Sequence, residues 1–352
     1  MKAAPVIAAL RRTGSVRQFL VHTGQHYGDR MSEVFFRQLG LEAPDVNLAV
    51  GSGSHAVQTA EIMLRLEPLL VERRPDVVLV YGDVNSTVAA AIVAAKLQIP
   101  LGHVEAGLRS GDRTMPEEIN RILTDAVSDF LFTHSIDADE KLKAAGVRPD
   151  AIHFVGNCMI DTLIRLLPHA VRPDLPGLDD RFALVTIHRP SNVDDARRLE
   201  YILRSLAAIS RFVRVVFPLH PRTRQRMPDG ALSVPTAANL ILTEPQGYLE
   251  FLWLQQHAAV VITDSGGVQE ETTYLQIPCL TLRTSTERPV TVSCGTNLLV
   301  GDDPGRLERE VRTILDGGRK TGTIPPLWDG RAGERIAAIL AQRAASVARA
   351  AP

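Results

Sequence analysis

The sequence predicts two doubly wound α/β domains in succession, and three observations carry that expectation. Short apolar runs alternate with helical stretches along both halves of the 352-residue chain, the order that builds a parallel sheet covered by helices. The runs end repeatedly in Gly, Asp, Glu, His or Ser, so polar groups collect at the carboxyl ends of the strands, where open α/β sheets bind ligands. Between the halves, residues 169–180 carry Pro173 and Pro176 with mixed charge, and the pattern restarts beyond them. The expected division is an N-terminal domain at 1–168, a second domain at 169–330 and a C-terminal helix within 331–352, with a central cleft between the two domains. No repeat at solenoid period interrupts this order.

In the first half, Val6–Arg12 reads as the remainder of a helix, Gln18–His22 as a strand, and Thr23–Gly28 as the polar loop at its carboxyl end. Met31–Leu39 has helical periodicity and stops at Gly40. The loop Gly51-Ser52-Gly53-Ser54-His55 could close over a ligand or be a plain turn; it leads into a helix over Ala56–Arg74. Val77–Tyr81, Ser86–Leu97 and Leu101–Val104 then read as strand, Ala-rich helix and strand. The crossover makes the two strands parallel, so Asp83 (after Gly82) and Glu105 leave the same sheet edge. If the two strands are neighbours they lie about 5 Å apart, so one ligand could touch both acids. A third acid, Glu117 or Glu118, starts a helix over Glu117–Val127. Asp83 alone could be a helix cap, and acids in a first turn favour any helix N-terminus. Three acids converging on one edge point to chemistry instead. Phe130–Thr133 is the next strand, Asp137–Ala145 a helix ending at Gly146, and His153–Val155 a strand leading to Gly156-Asn157.

In the second half, Phe182–Ile187 reads as a buried strand ending in His188-Arg189-Pro190. Leu199–Ala208 (helix), Val213–Pro218 (strand), Leu240–Leu242 (strand), Leu249–His257 (helix) and Val260–Thr263 (strand) follow. Asp264-Ser265-Gly266-Gly267 is the turn into a helix over Val268–Leu275; Cys279–Leu282 is another strand, and Gly333–Ala350 a long Ala/Arg helix.

Composition bounds the function. The chain is 45% hydrophobic and 22% charged, as in a globular protein, and its formal charge of −1 gives no basis for a nucleic-acid or membrane-surface partner. No apolar run reaches the roughly 20 residues a spanning helix needs, and the opening residues are not a secretory signal, so a cytoplasmic location is expected. Cys158, Cys279 and Cys294 are widely spaced and expected to be buried and reduced. Zinc-binding spacings are absent, so no metal and no cofactor are expected.

Asp264-Ser265-Gly266-Gly267 is the best anion site: free N–H groups and the helix dipole point at one spot, and glycine admits phosphate close to the backbone. Tight packing is the plainer alternative. Glu271, one turn on, could accept from ribose hydroxyls or lie on a solvated face, and Arg288 could grip a diphosphate or form a rim salt bridge. His188 stands at a strand end, as do His22, His26, His103 and His220, too many for all to be catalytic.

Taken in order, Gly82-Asp83, His103-Val104-Glu105-Ala106-Gly107-Leu108-Arg109, Pro116-Glu117-Glu118-Ile119-Asn120-Arg121, His188-Arg189, Asp264-Ser265-Gly266-Gly267-Val268-Gln269-Glu270-Glu271 and Thr286-Glu287-Arg288-Pro289 closely resemble the non-hydrolysing UDP-N-acetylglucosamine 2-epimerases. The resemblance spans nearly the whole chain. It implies two Rossmann-like domains in the arrangement of GT-B glycosyltransferases, with the C-terminal helix returning to the first domain. It also implies a homodimer acting on a UDP-sugar in polysaccharide biosynthesis. The implied reaction removes the C2 proton, expels UDP to leave a 2-acetamidoglucal, and re-adds UDP at C1 as C2 is reprotonated on the other face. Asp83, Glu105 and Glu117 match the family's catalytic acids, and His188 matches a histidine assigned to the leaving diphosphate. Gln246, Phe251, Ser265, Gly266, Gly267, Glu271 and Arg288 match nucleotide-binding positions, and Lys2 a substrate-site lysine.

Two departures carry expectations. The family's first strand and its Gly-Thr-Arg-Pro-Glu loop are missing, so Met1 is expected to be an internal methionine of a chain longer by about 10–15 residues. Gln25-His26-Tyr27 and His188-Arg189-Pro190 replace the Q-H-R-E and H-R-R-E patterns of bacterial members that bind a second substrate molecule allosterically. Hyperbolic kinetics are therefore expected, with UDP-ManNAc turned over in the absence of UDP-GlcNAc; initial rates in both directions check this, and a sigmoidal curve would contradict it. The stretches 23–32 and 51–59 look more like archaeal-type members, some relatives of which act on UDP-diacetamido-glucuronates. Three other readings compete. A hydrolysing epimerase usually lacks the Val104–Arg109 motif, a GT-B transferase has no use for three acids, and an inactive UDP-sugar binder would follow from the missing N-terminus.

Overall fold

A computed structural model of the chain describes residues 1–25, 39–227, 239–301, 303–318 and 320–350. The expected helix over Met31–Leu39 lies almost wholly outside them, as do His26 and Tyr27. The chain divides into two compact units, Met1–Thr162 with Pro326–Pro352, and Leu163–Pro325. Both junctions come earlier than the expected 168 and 330. The second is set by Trp328, which is 2% exposed and donates from its indole to the His134 carbonyl at 2.8 Å, fixing residues 326–331 to the first unit.

The first unit contains α1 (Ala3–Thr13), β1 (Val21–His22), β2 (Val46–Asn47), α2 (His55–Arg73), β3 (Val78–Tyr81), α3 (Asn85–Lys96), β4 (Leu101–Val104), α4 (Pro116–Val127), β5 (Phe130–Thr133), α5 (Ile136–Ala144), β6 (Ile152–Phe154) and the start of α6 (Cys158–Leu166). Strands β3-β4-β5-β6 form a parallel sheet in that order, and β1-β2 a separate parallel pair. Strand β1 is shorter than expected. Leu20 donates its N–H to the Asp45 carboxylate at 2.6 Å instead of to a strand partner, and β1 begins only at Val21. The small side chains of α3, with Ala89, Ala91 and Ala94 fully buried, let it lie close on the sheet. Ser54 caps α2 by accepting from Val57 N–H at 3.3 Å.

The second unit runs through β7 (Phe182–Thr186), α7 (Pro190–Val193), α8 (Ala196–Ile209), β8 (Arg214–Pro218), α9 (Pro221–Arg226), β9 (Leu240–Thr243), α10 (Tyr248–His257), β10 (Val260–Thr263), α11 (Gly266–Leu275), β11 (Cys279–Thr281), α12 (Pro289–Ser293), β12 (Asn297–Leu299) and α13 (Pro304–Leu315). Its sheet is parallel in the order β12-β11-β10-β7-β8-β9, the order of a dinucleotide-binding fold. Strand β10 is buried at every residue, as a central parallel strand covered on both faces should be. Finally, α14 (Ala332–Ala350) returns to the first unit, where Ala332, Ile336, Ala337 and Leu340 share a core with Val6, Ala9 and Leu10 of α1. Cys158 and Cys279 are buried, but Cys294 is only partly so: it follows the short helix α12 at the surface, its sulfur 3.6 Å from the Thr323 carbonyl. All three are free thiols.

Candidate active site

In the first unit, β3 and β4 pair with Tyr81 opposite Val104, so the residues after them start side by side. Gly82 turns the chain with φ 70°. That left-handed φ strains any residue with a side chain and favours glycine. Glu105 holds φ 75°, a left-handed value that costs a non-glycine residue about 1–3 kcal/mol. Two hydrogen bonds hold it there: the N–H groups of Glu105 and Ala106 both donate to the Phe132 carbonyl, at 3.0 and 3.1 Å. Its carboxylate is ion-paired with Lys2. Asp83 does not cap the following helix, whose N-cap is Val84 without a side-chain bond. Instead its carboxylate receives Nε and Nη2 of Arg121, both at 2.9 Å.

Helix α4 organises this edge. Pro116 occupies its first turn, where a missing N–H costs nothing. Glu118, Arg121 and Asp125 share one face at i, i+3 and i+7, and all are buried. Glu118 accepts from Ser110 N–H at 2.9 Å, Gly111 N–H at 3.1 Å and the Arg121 guanidinium, tying down the loop after Glu105. Burial works against its charge, but the Ser110 and Gly111 N–H groups and Arg121 prevail, and its carboxyl sits below the ordinary range. Asp125 takes His103 Nδ1 at 2.6 Å, Gly107 N–H at 3.2 Å and Arg109 Nη1 at 2.6 Å. Here too burial is outweighed, by His103 and then Arg109, and the carboxyl is lowered. Glu117 is half-buried and makes no hydrogen bond or ion pair with the described residues. Of the two first-turn acids, Glu118 is committed to the loop and Glu117 is not.

In the second unit the strand order reverses between β7 and β10, the switch point at which such sheets bind ligands. His188 follows β7 and Asp264 follows β10. The Asp264 carboxylate, fully buried, accepts from the N–H of His188 at 3.1 Å, the N–H of Arg189 at 2.9 Å and Asn192 Nδ2 at 3.1 Å, pinning the two strand ends together. Burial, opposed by Asp264, lowers the His188 pKa, so its ring is neutral at pH 7. The His220 ring lies 5.2 Å away, centroid to centroid.

Ser265 is the N-cap of α11, and Gly266 and Gly267 form its first residues; the helix begins earlier than the expected Val268. First-turn N–H groups have no intrahelical acceptor and point outward with the positive end of the dipole. Arg288 stands over this turn but is no rim residue. It is 6% exposed, with Nε 2.8 Å from Glu270 and Nη1 bonded to Glu287, itself 1% exposed. Glu287 also pairs with Arg283 at 2.7 Å and Arg189 at 3.1 Å. Gln246 donates to the Glu244 carbonyl at 2.9 Å, and Phe251 packs half-buried against the core around Leu254 and Val261.

Glu271 is 3% exposed, which excludes a solvated helix face. Tyr248 OH donates to one oxygen at 2.8 Å and Gln255 Nε2 to the other at 2.7 Å. Burial dominates these bonds and pushes its carboxyl up from 4.5 to about 7. A raised folded-state carboxyl makes the native state hold a proton that the unfolded chain has released, so stability falls as pH rises from about 4.5 to about 7 and is level above that. Glu271→Gln is expected to flatten this slope. Thermal midpoints of parent and variant, measured without nucleotide from pH 5 to 8, check it; parallel curves would contradict it.

Among the described residues no group of three or more His, Cys, Asp or Glu is placed to hold a metal, and no helix is long and apolar enough to cross a membrane. Residues 8–341 match the family model described as UDP-N-acetylglucosamine 2-epimerase. The UDP-N-acetylglucosamine 2-epimerase of Methanocaldococcus jannaschii is 41% identical over 97% of this chain and 95% of its own. The UDP-2,3-diacetamido-2,3-dideoxy-D-glucuronate 2-epimerase of Pseudomonas aeruginosa is also 41% identical, over 97% of this chain and 96% of its own. The crystal structure of the M. jannaschii UDP-GlcNAc 2-epimerase in complex with UDP-GlcNAc and UDP superposes with a TM-score of 0.87, at 40% identity, covering 97% of this chain and 96% of that one.

Proposed function

The chain belongs to the UDP-N-acetylglucosamine 2-epimerase family, and from that premise we propose how its residues invert C2 of a UDP-sugar. The protein interconverts UDP-N-acetylglucosamine and UDP-N-acetylmannosamine. The observation that supports the residue assignment is the pair of acids at neighbouring strand ends, each matched to its own cation: Asp83 to Arg121, Glu105 to Lys2. Asp83, Glu105 and Glu117 supply the base and acid that remove and return the C2 proton. UDP leaves C1 to give a 2-acetamidoglucal and returns to C1 as C2 is reprotonated on the opposite face. Ser265, Gly266 and Gly267 hold the diphosphate through N–H groups, Arg288 adds charge, and His188 donates to the leaving phosphate as a neutral imidazole. Glu271 takes the ribose hydroxyls, and Gln246 and Phe251 hold the base. Lys2 holds Glu105 and meets the sugar side.

A second substrate reading, a UDP-2,3-diacetamido-glucuronate, is favoured by the equally similar P. aeruginosa relative. Incubation of each UDP-sugar with the protein in deuterated water tests both. C2 deuterium in recovered UDP-GlcNAc and UDP-ManNAc is expected; deuterium only in the glucuronate pair would move the substrate. Free N-acetylmannosamine would mark a hydrolase, and no exchange a transferase or binder. A cytoplasmic homodimer completes the proposal, its assembly testable by light scattering.

A further inference from the structure

Both nitrogens of the buried His103 ring are committed within the protein. It is fully buried in β4, two residues before Glu105. Its Nε2 lies 2.8 Å from the Gly82 carbonyl, the peptide that immediately precedes Asp83. A carbonyl only accepts, so Nε2 carries a proton there. Its Nδ1 lies 2.6 Å from Asp125 Oδ1, and the same carboxylate takes Gly107 N–H and the Arg109 guanidinium. Gly82 has a left-handed backbone, and its N–H is bonded to the Val104 carbonyl at 3.0 Å. The bond from His103 fixes its other side, and with it the direction in which Asp83 leaves the sheet.

We propose that His103 is a positioning residue for the epimerisation: anchored on Asp125, it holds the Gly82–Asp83 peptide through Nε2–H, and so sets Asp83 against Glu105. Asp125 thereby links three segments, the end of β3 through His103, the loop after β4 through Gly107 and Arg109, and its own helix α4, which carries Glu117 and Arg121. A displacement of about 1 Å at a reacting group is enough to cost on the order of 100-fold in rate. The proposal rests on the reading of Asp83 as a catalytic acid.

Amide side chains separate the two ring nitrogens. The amide of glutamine reaches about as far as Nε2, that of asparagine about as far as Nδ1. His103→Gln can therefore still donate to the Gly82 carbonyl, whereas His103→Asn reaches Asp125 and leaves that carbonyl unheld. C2 deuterium exchange is expected to fall by less than about tenfold in the Gln variant and by roughly 10²–10³ in the Asn variant. The loss should lie in kcat, with KM and UDP affinity by calorimetry as in the parent. Equal losses in both variants that follow a fall in thermal midpoint would mark a merely structural histidine and overturn the proposal, as would parental exchange in His103→Asn. If His103→Asn does not fold, His103→Leu replaces it, keeping bulk and removing both donors. Asp83→Asn is measured alongside. Parental exchange in that variant overturns the acid assignment and the proposal together, whereas a dead Asp83→Asn beside a fully active His103→Asn overturns the proposal alone.

Discussion

Asp83→Asn, Glu105→Gln and Glu117→Gln are each expected to slow C2 exchange by roughly 10²–10⁴, the range for loss of a general acid or base. UDP affinity should be unchanged, because the first turn of α11, where we place the diphosphate, belongs to the other unit. The fold should tolerate each change. Removing one partner of a buried ion pair costs about 3–5 kcal/mol when the other charge is stranded. In Asp83→Asn the guanidinium of Arg121 keeps Glu118, and Asn can still accept from Nε. In Glu105→Gln the released Lys2 side chain is 25% exposed and can hydrate. Glu117 has no partner among the described residues to strand. Single-turnover exchange in deuterated water beside UDP calorimetry checks all three. Parental exchange in any variant removes that acid from the mechanism. Loss of UDP affinity in step with exchange would mean a folding defect instead.

The strands were legible wherever a short apolar run was bracketed by breakers: β4, β5 and β10 are observed with their expected ends. The two-residue strands β1 and β2 are too short to carry a period, and the pairing of β1 is decided by Asp45, a distant side chain. Strand β12 and helices α6 and α13 went unread. The start of α11 was missed because glycine reads as a turn, although here the two glycines form the first turn of the helix. At the site, the acids could be found because strand ends are a local feature of the sequence. Their cations could not: Arg121 lies 38 residues from Asp83, and only the folded sheet brings them together. Glu118, Arg121 and Asp125 at i, i+3 and i+7 look like a solvated charged stripe, yet all three are buried. The usable hint was their place in a helix that begins just after a Gly/Arg-rich loop and two strand-end acids. Arg288 was found but its surroundings were not, since Glu270 and Glu287 gave no sign in the sequence of sharing its guanidinium.

Gly266→Val is expected to raise the dissociation constant for UDP by at least about 100-fold, on two separate grounds. The first is the ligand itself: phosphate reaches first-turn N–H groups only where no side chain stands between, and a branched Val at the first residue of α11 stands there. The second is the protein around it. A Cβ on Gly266 would come within 2.8 Å of both Arg288 Cζ and Glu287 Oε1. An exposed arginine could swing aside, but this one is 6% exposed and bonded to Glu270 and Glu287. Glu287 in turn holds Arg283 and Arg189, and against the effect of burial Arg288, then Arg283 and Arg189, keep its carboxyl well below the ordinary range. Moving Arg288 therefore disturbs a buried network of charges as well as the phosphate contact. Gly266→Ala separates the two grounds: it adds the Cβ that meets Arg288 and Glu287 but not the branch that fills the phosphate position. A weaker loss, about tenfold, is expected for Ala, with a fall in thermal midpoint comparable to that of Val. Calorimetry with UDP on folded protein of both variants is the measurement. Parental affinity in Gly266→Val would place the nucleotide away from α11 and withdraw Ser265, Gly266 and Gly267 as its diphosphate cradle.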